Sequence, residues 1–143
     1  MKKLQKIGFG GGCHWCTEAI FLSLIGIEKV KQGYIASVGK NDSFSEAVII
    51  HFNPKYISLK TLIEVHLLTH KSTTKHSMRH KYRSAIYTFY KNQNTLTNSI
   101  ISGLQKDFQN QIITEIFTFN EFKASRQQIT ITKTQKNLFA RIL

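Results

Sequence analysis

The sequence predicts an α+β fold, a two-layer sandwich in which about three helices pack on a mixed, mostly antiparallel sheet. Three observations predict it. Segments with strand-like alternation are interleaved with segments of helical spacing, and their order is β-α-β-β-α-β-α-β rather than a regular alternation. The third is composition: 143 residues, 41% hydrophobic and 11% aromatic, suffice for one ordinary core, while one Pro and eight Gly exclude collagen-like and disordered chains. No apolar run approaches the roughly 18 residues of a membrane span, because Ala19-Ile20-Phe21-Leu22 and Ala47-Val48-Ile49-Ile50 soon give way to polar residues. We therefore expect one domain over residues 1–143, no membrane partner, and a loosely held C-terminal tail from about residue 124.

Residues 3–9 alternate and stop at Gly10-Gly11-Gly12, which predicts a short strand ending in a turn. Trp15, Ala19, Ile20, Leu22 and Leu24 then form a helical face, with Gly26 as its stop. Residues 27–37 read as a strand with Gly33 as a bulge, and residues 39–43 as a turn. Residues 44–52 are the clearest strand, ending before Asn53-Pro54. Ser58 suits the N-cap of a helix whose stripe is Leu59, Leu62, Ile63, His66 and Leu67 and which ends near His70. Residues 71–82 have almost no apolar content and read as a long loop of the functional kind. A strand over 84–90, a helix over 93–108 and a strand over 112–119 complete the domain.

Twenty Lys and Arg against eight Asp and Glu give a formal charge of +12, which raises a nucleic-acid reading. The basic residues are scattered, however, and the one dense stretch, with Lys71, Lys75, Arg79, Lys81 and Arg83, carries no nucleic-acid motif. A solvated face fits better, and no nucleic-acid partner is expected. Lys2, Lys3 and Lys6 suggest a secretory n-region, but Ile7-Gly8-Phe9-Gly10 is too short and too glycine-rich for the h-region that should follow. A cytoplasmic protein is the expectation.

In a reducing compartment a close pair such as Cys13 and Cys16 points to redox or metal chemistry rather than a structural staple. The glycines do not make a dinucleotide loop, since Cys13 falls where the third glycine belongs, and a P-loop would need a Lys-Ser/Thr end. Zinc would need four ligands, which Cys13, Cys16 and His14 supply only with help from the distant His76 and His80; no metal is expected. A thiol at the first turn of a helix faces free N–H groups and the positive end of the helix dipole, which favour the thiolate. Cys13 is thus the natural nucleophile, and Cys16, three residues on, is close enough to attack it once oxidised. Buried structural thiols, a thioredoxin-like exchanger acting directly on disulfides, and a reductase passing through a sulfenic acid all remain open on this chemistry alone.

The wider sequence favours the last. Gly11-Gly12-Cys13-His14-Trp15-Cys16-Thr17-Glu18 resembles the Gly-Cys-Phe-Trp-x-x-Glu signature of the A-type peptide methionine sulfoxide reductases, with His14 in place of Phe. Gly33-Tyr34 is similar to the family's Gly-Tyr segment, Ser45-Glu46-Ala47-Val48 to its His-Ala-Glu-Ala-Val strand, and Phe52-Asn53-Pro54 to its Tyr-Asp-Pro. Tyr82-Arg83-Ser84-Ala85-Ile86-Tyr87 resembles its Gln-Tyr-Arg-Ser-Ala-Ile/Val-Tyr block, so the matches run in unbroken order over residues 7–108. The resemblance implies reduction of methionine-S-sulfoxide, free or in proteins, with no bound cofactor and with thioredoxin or another dithiol as reductant. By the same token Cys13 attacks the sulfoxide sulfur, Glu46 supplies the proton, Tyr34 and Tyr82 hydrogen-bond the departing oxygen, Trp15 and His14 line the methyl pocket, and Cys16 resolves the sulfenic acid.

Glu18, two residues beyond Cys16, reads as a helix-surface or structural residue, and His51 and His66 as satisfied core histidines. The sequence departs from the family at His14, at Ser77 where a site Asp is usual, and in a tail without a recycling cysteine. Two other readings stand beside the reductase: a general Cys-x-x-Cys thiol-disulfide oxidoreductase, and a divergent non-catalytic, redox-responsive binding paralogue.

Overall fold

The computed structural model describes residues 4–12, 14–70, 72–73 and 83–125. Among these residues the chain runs through strand β1 (Gln5–Gly10), helix α1 (His14–Leu22), β2 (Ile27–Ala36), β3 (Ser45–Phe52), α2 (Leu59–Leu68), β4 (Ala85–Thr88), α3 (Lys91–Leu104), β5 (Glu115–Thr118) and β6 (Glu121–Ala124). The expected order of elements is present, with β6 added at its end. Apart from Ala124, which ends β6, and Ser125, the expected tail lies outside the described residues, as does most of the loop expected before β4.

The strands form one sheet in the order β5-β4-β1-β3-β2-β6. Neighbours are antiparallel except β4 and β5, whose parallel pairing follows from the crossover through α3. Phe9 pairs with Val48 and Ile7 with Ile50. Because side chains alternate along a strand, these four residues share one face. On that face they meet Phe21 of α1, Leu62, Ile63 and Leu67 of α2 and Leu104 of α3 in the main core. Each fully buried side chain of this size contributes about 2 kcal/mol by leaving water. The other face carries a second cluster, Ile35, Ala47, Ile49, Ala85, Tyr87 and Phe117.

Helix α2 starts where Ser58 predicts: its Oγ accepts the Thr61 N–H at 3.1 Å, satisfying an otherwise free donor of the first turn. Gly33 is not a bulge. The irregularity in β2 lies between Ile27 and Lys29, and the need for glycine comes from β6, since a Cβ at Gly33 would sit 2.2 Å from the Lys123 carbonyl oxygen. Glu18 is fully buried in α1, so of its two expected roles the structural one holds and the surface one does not.

His66 is a core histidine, whereas His51 is not. One position out of step with Ile50 and Phe52, His51 lies half-buried on the second face, and among the described residues its inward Nε2 has no hydrogen-bond partner. Burial, then Lys31, Lys6 and Lys29, lower its pKa. The unfolded chain therefore takes up this proton at higher pH than the folded chain does. The stability that the neutral ring retains above about pH 6.5 is lost as the pH falls. Replacing His51 by Gln should accordingly reduce the drop in Tm between about pH 7.5 and pH 5.5; a drop equal to that of the parent would overturn this account.

Candidate active site

The described residues of the expected site lie toward one end of the sheet, where β1 runs out and β3 begins. Gly10 pairs with Ala47 on one side and with Ala85 on the other. A Cβ at Gly10 would lie 2.9 Å from the Arg83 carbonyl oxygen and 3.1 Å from that of Glu46, so three backbones converge there and only glycine fits. The next residue, Gly11, has φ +135°, a conformation that side chains other than glycine's rarely allow.

Glu46 and Tyr34 stand directly opposite each other across β3 and β2. Both point to the helix side of the sheet, one step beyond Val48 and Gln32 toward its end. α1 packs over these two strands. Glu46 is 8% exposed and Tyr34 is half-buried, which leaves a carboxyl and a phenol at the rim of the core, within reach of a ligand yet largely shielded from water. Residues of this kind can give a proton and hydrogen-bond an oxygen that is acquiring charge.

Arg83 anchors the segment that follows the long loop. Its backbone N–H donates to Ser45 Oγ at 2.8 Å, and its guanidinium donates to the Ile35 and Ser43 carbonyls at 3.3 and 3.1 Å. The guanidinium also lies over Phe117, 5.4 Å from the ring centre, and donates to the Tyr87 hydroxyl. Burial raises the pKa of that hydroxyl, with Arg83 opposing the rise, so Tyr87 remains a donor throughout the neutral range.

Cys16 is a free, exposed thiol in the first turn of α1, where backbone N–H groups lack intrahelical acceptors. His14 and Trp15 belong to the same turn, though the placement of their side chains is not described. Cys13, Tyr82 and Ser77 lie outside the described residues; the described neighbours of Cys13 are Gly12 and His14, and that of Tyr82 is Arg83. The structure thus brings together Glu46, Tyr34, the turn leading to Cys13 and the segment following Tyr82. Among the described residues no three His, Cys, Asp or Glu side chains group to hold a metal. A groove of about 480 Å³ at the other end of β1, lined by Leu4, Leu59, Tyr90 and Leu96 among others, has no carboxylate, imidazole or thiol among its described residues.

Residues 5–130 match the family model described as peptide methionine sulfoxide reductase. The chain belongs to the peptide methionine sulfoxide reductase family. A relative from Trichodesmium erythraeum (strain IMS101), the peptide methionine sulfoxide reductase MsrA, is 30% identical over 135 residues, covering 83% of this chain and 76% of the relative. Among solved structures, Mxr1 from Saccharomyces cerevisiae in an unusual oxidized form superposes with a TM-score of 0.77 at 26% identity, covering 92% of this chain and 82% of Mxr1. Mxr1 in complex with Trx2 shares the fold at a TM-score of 0.72 and 24% identity, covering 88% of this chain and 84% of that one. Membership agrees with the resemblance drawn from the motifs and with the α+β fold.

The sequence reading missed one part of this site. His70, expected only as the end of a helix, lies against Gly11. The signal was present, because His66 and His70 are four residues apart and so share a helix face. Nothing in the sequence showed that the glycine turn packs on that face.

Proposed function

We propose that the protein reduces methionine-S-sulfoxide, free or in proteins, to methionine, with Cys13 as nucleophile, Cys16 as resolving thiol and thioredoxin as reductant. The observation that carries this reading is the meeting, at one end of the sheet, of the Glu46–Tyr34 pair with the turn that leads to Cys13. The Cys13 thiolate attacks the sulfoxide sulfur, and Glu46 gives a proton to the oxygen, which Tyr34 and Tyr82 hydrogen-bond. The protonated oxygen then passes from that sulfur to Cys13 as the new sulfur–sulfur bond breaks, leaving a sulfenic acid on Cys13 and releasing methionine. Cys16 then displaces that oxygen as water and forms a Cys13–Cys16 disulfide, which the thioredoxin dithiol reduces. Trp15 and His14 line the methyl pocket in this reading.

The redox cycle needs no prosthetic group and a reducing compartment, which makes the cytoplasm the proposed location. Relatives named peptide methionine sulfoxide reductase and an Mxr1 structure with Trx2 support both the substrate and the kind of partner. The test is turnover of the separated S and R epimers with a thiol reductant. Reduction confined to the S epimer supports the proposal. Activity on protein disulfides alone would favour the general oxidoreductase, and binding without turnover the redox-responsive paralogue.

Cys16→Ser separates the two halves of the cycle. A single turnover should proceed at the parent rate, while steady-state turnover with thioredoxin should fall by about 100-fold or more, because the sulfenic acid would have lost its neighbour. Equal losses in both assays would mean that Cys16 shapes the site instead.

A further inference from the structure

Two histidines at the end of α2 lie directly beneath the glycine turn. His66 is 3% exposed and stacks between Phe9 and His70, with ring centres 4.5 and 4.2 Å away. Its Nε2 lies 2.8 Å from the Gly10 carbonyl oxygen, so that nitrogen must donate. His70 continues the stack outward to the turn itself. A Cβ placed on Gly11 would lie 2.6 Å from His70 Cδ2 and 2.9 Å from Nε2, and one on Gly12 would lie 3.7 Å from His70 Cβ. The Gly11 backbone thus rests against the imidazole ring.

Both nitrogens of that ring are engaged. His70 Nδ1 donates to the His66 carbonyl one turn back, a bond whose acceptor fixes the proton on Nδ1. His70 Nε2 lies 2.8 Å from Ser84 Oγ, and Ser84 Oγ lies 2.8 Å from Thr114 Oγ1. Ser84 and Thr114 are 5% and 8% exposed, so water is a poor substitute for these partners. The chain of contacts joins four separate segments: the end of α2, the residue before β4, the approach to β5 and the glycine turn. A ring held at both nitrogens cannot rotate without breaking a shielded hydrogen bond.

We propose that His70 is a positioning residue for the proposed reduction: tethered through Ser84 and the His66 carbonyl, its ring fixes residues 10–12 and thereby the reactivity of Cys13. This rests on the assignment of Cys13 made above. His70 touches no reacting atom; it acts through the turn, and a misplacement of about 1 Å at a reacting group can cost on the order of 100-fold in rate.

The test uses the full chain in four forms: parent, His70→Phe, Ser84→Ala and the double variant. Phe keeps a ring against Gly11 and removes both tethers; Ala at position 84 removes one tether and leaves the ring. Each single variant should lose about 10-fold or more in kcat with KM little changed, since positioning acts on the chemical step. The double variant should be no worse than His70→Phe, because Ser84 would act only through the imidazole. A second readout, independent of sulfoxide turnover, is the rate at which iodoacetamide alkylates Cys13, located by mass spectrometry, as a function of pH. His70→Phe should shift that profile. Variants with lowered Tm but parental kcat and an unmoved alkylation profile would overturn the proposal, as would losses that simply add. Should the parent itself fail to reduce sulfoxide, the functional reading fails, and the alkylation profile still decides whether His70 controls Cys13.

Discussion

Cys13→Ser is expected to abolish sulfoxide reduction, a loss of at least about 1,000-fold, the scale seen when a nucleophile is removed. A hydroxyl remains protonated at neutral pH, whereas a thiol can ionise, and only the ionised form attacks sulfur. Cys16 is close in sequence and exposed, so it tests the assignment from within the same protein. If Cys16 could replace Cys13, the Ser variant would retain turnover with a chemical reductant. Measurable single-turnover reduction in Cys13→Ser, with Cys16 intact, would sink the assignment.

Glu46→Gln should slow the chemical step by about 100-fold or more, the usual scale for a positioned general acid. The two side chains have nearly the same shape, so Gln fits the place opposite Tyr34 and the Tm should change little. What the amide cannot do is deliver a proton to the departing oxygen. Tyr34 would remain, but a phenol is a weak acid at neutral pH. Ser77 offers no carboxylate in its stead. Parental rates across about pH 6–8 would show that the proton comes from elsewhere, with His14 the first residue to replace because it adjoins Cys13 and carries an imidazole.

Which parts of this site could be read from the sequence depends on the range of the interactions that make them. Cys13, Cys16, Tyr34, Glu46 and Tyr82 were legible as motif residues because their order along the chain is itself the signal. The burial of Glu18 was not legible: a carboxylate is rarely fully buried, and it is the packing of α1 on β2 and β3 that encloses this one. His51 was misread for the opposite reason. It follows an apolar run in β3, but alternation turns it to the face shared with Lys6 and Lys29.

By itself the sequence determined the class of fold, the order of its first eight elements, the N-cap at Ser58 and the position of the Cys13 and Cys16 pair after three glycines. These depend on local rules, the two periodicities, side-chain capping and the freedom of glycine, which act within a few residues. Tertiary structure alone decided the rest. β6 has three exposed residues of four and no apolar alternation, and it is a strand because β2 offers it an edge, at which Gly33 lets the Lys123 carbonyl approach. The register of β2 on β3 set Tyr34 opposite Glu46, and α2 laid His70 against Gly11. Those contacts join residues far apart in the chain, and their geometry exists only once the sheet has closed around its core, when a shift of one residue would turn each side chain to the other face.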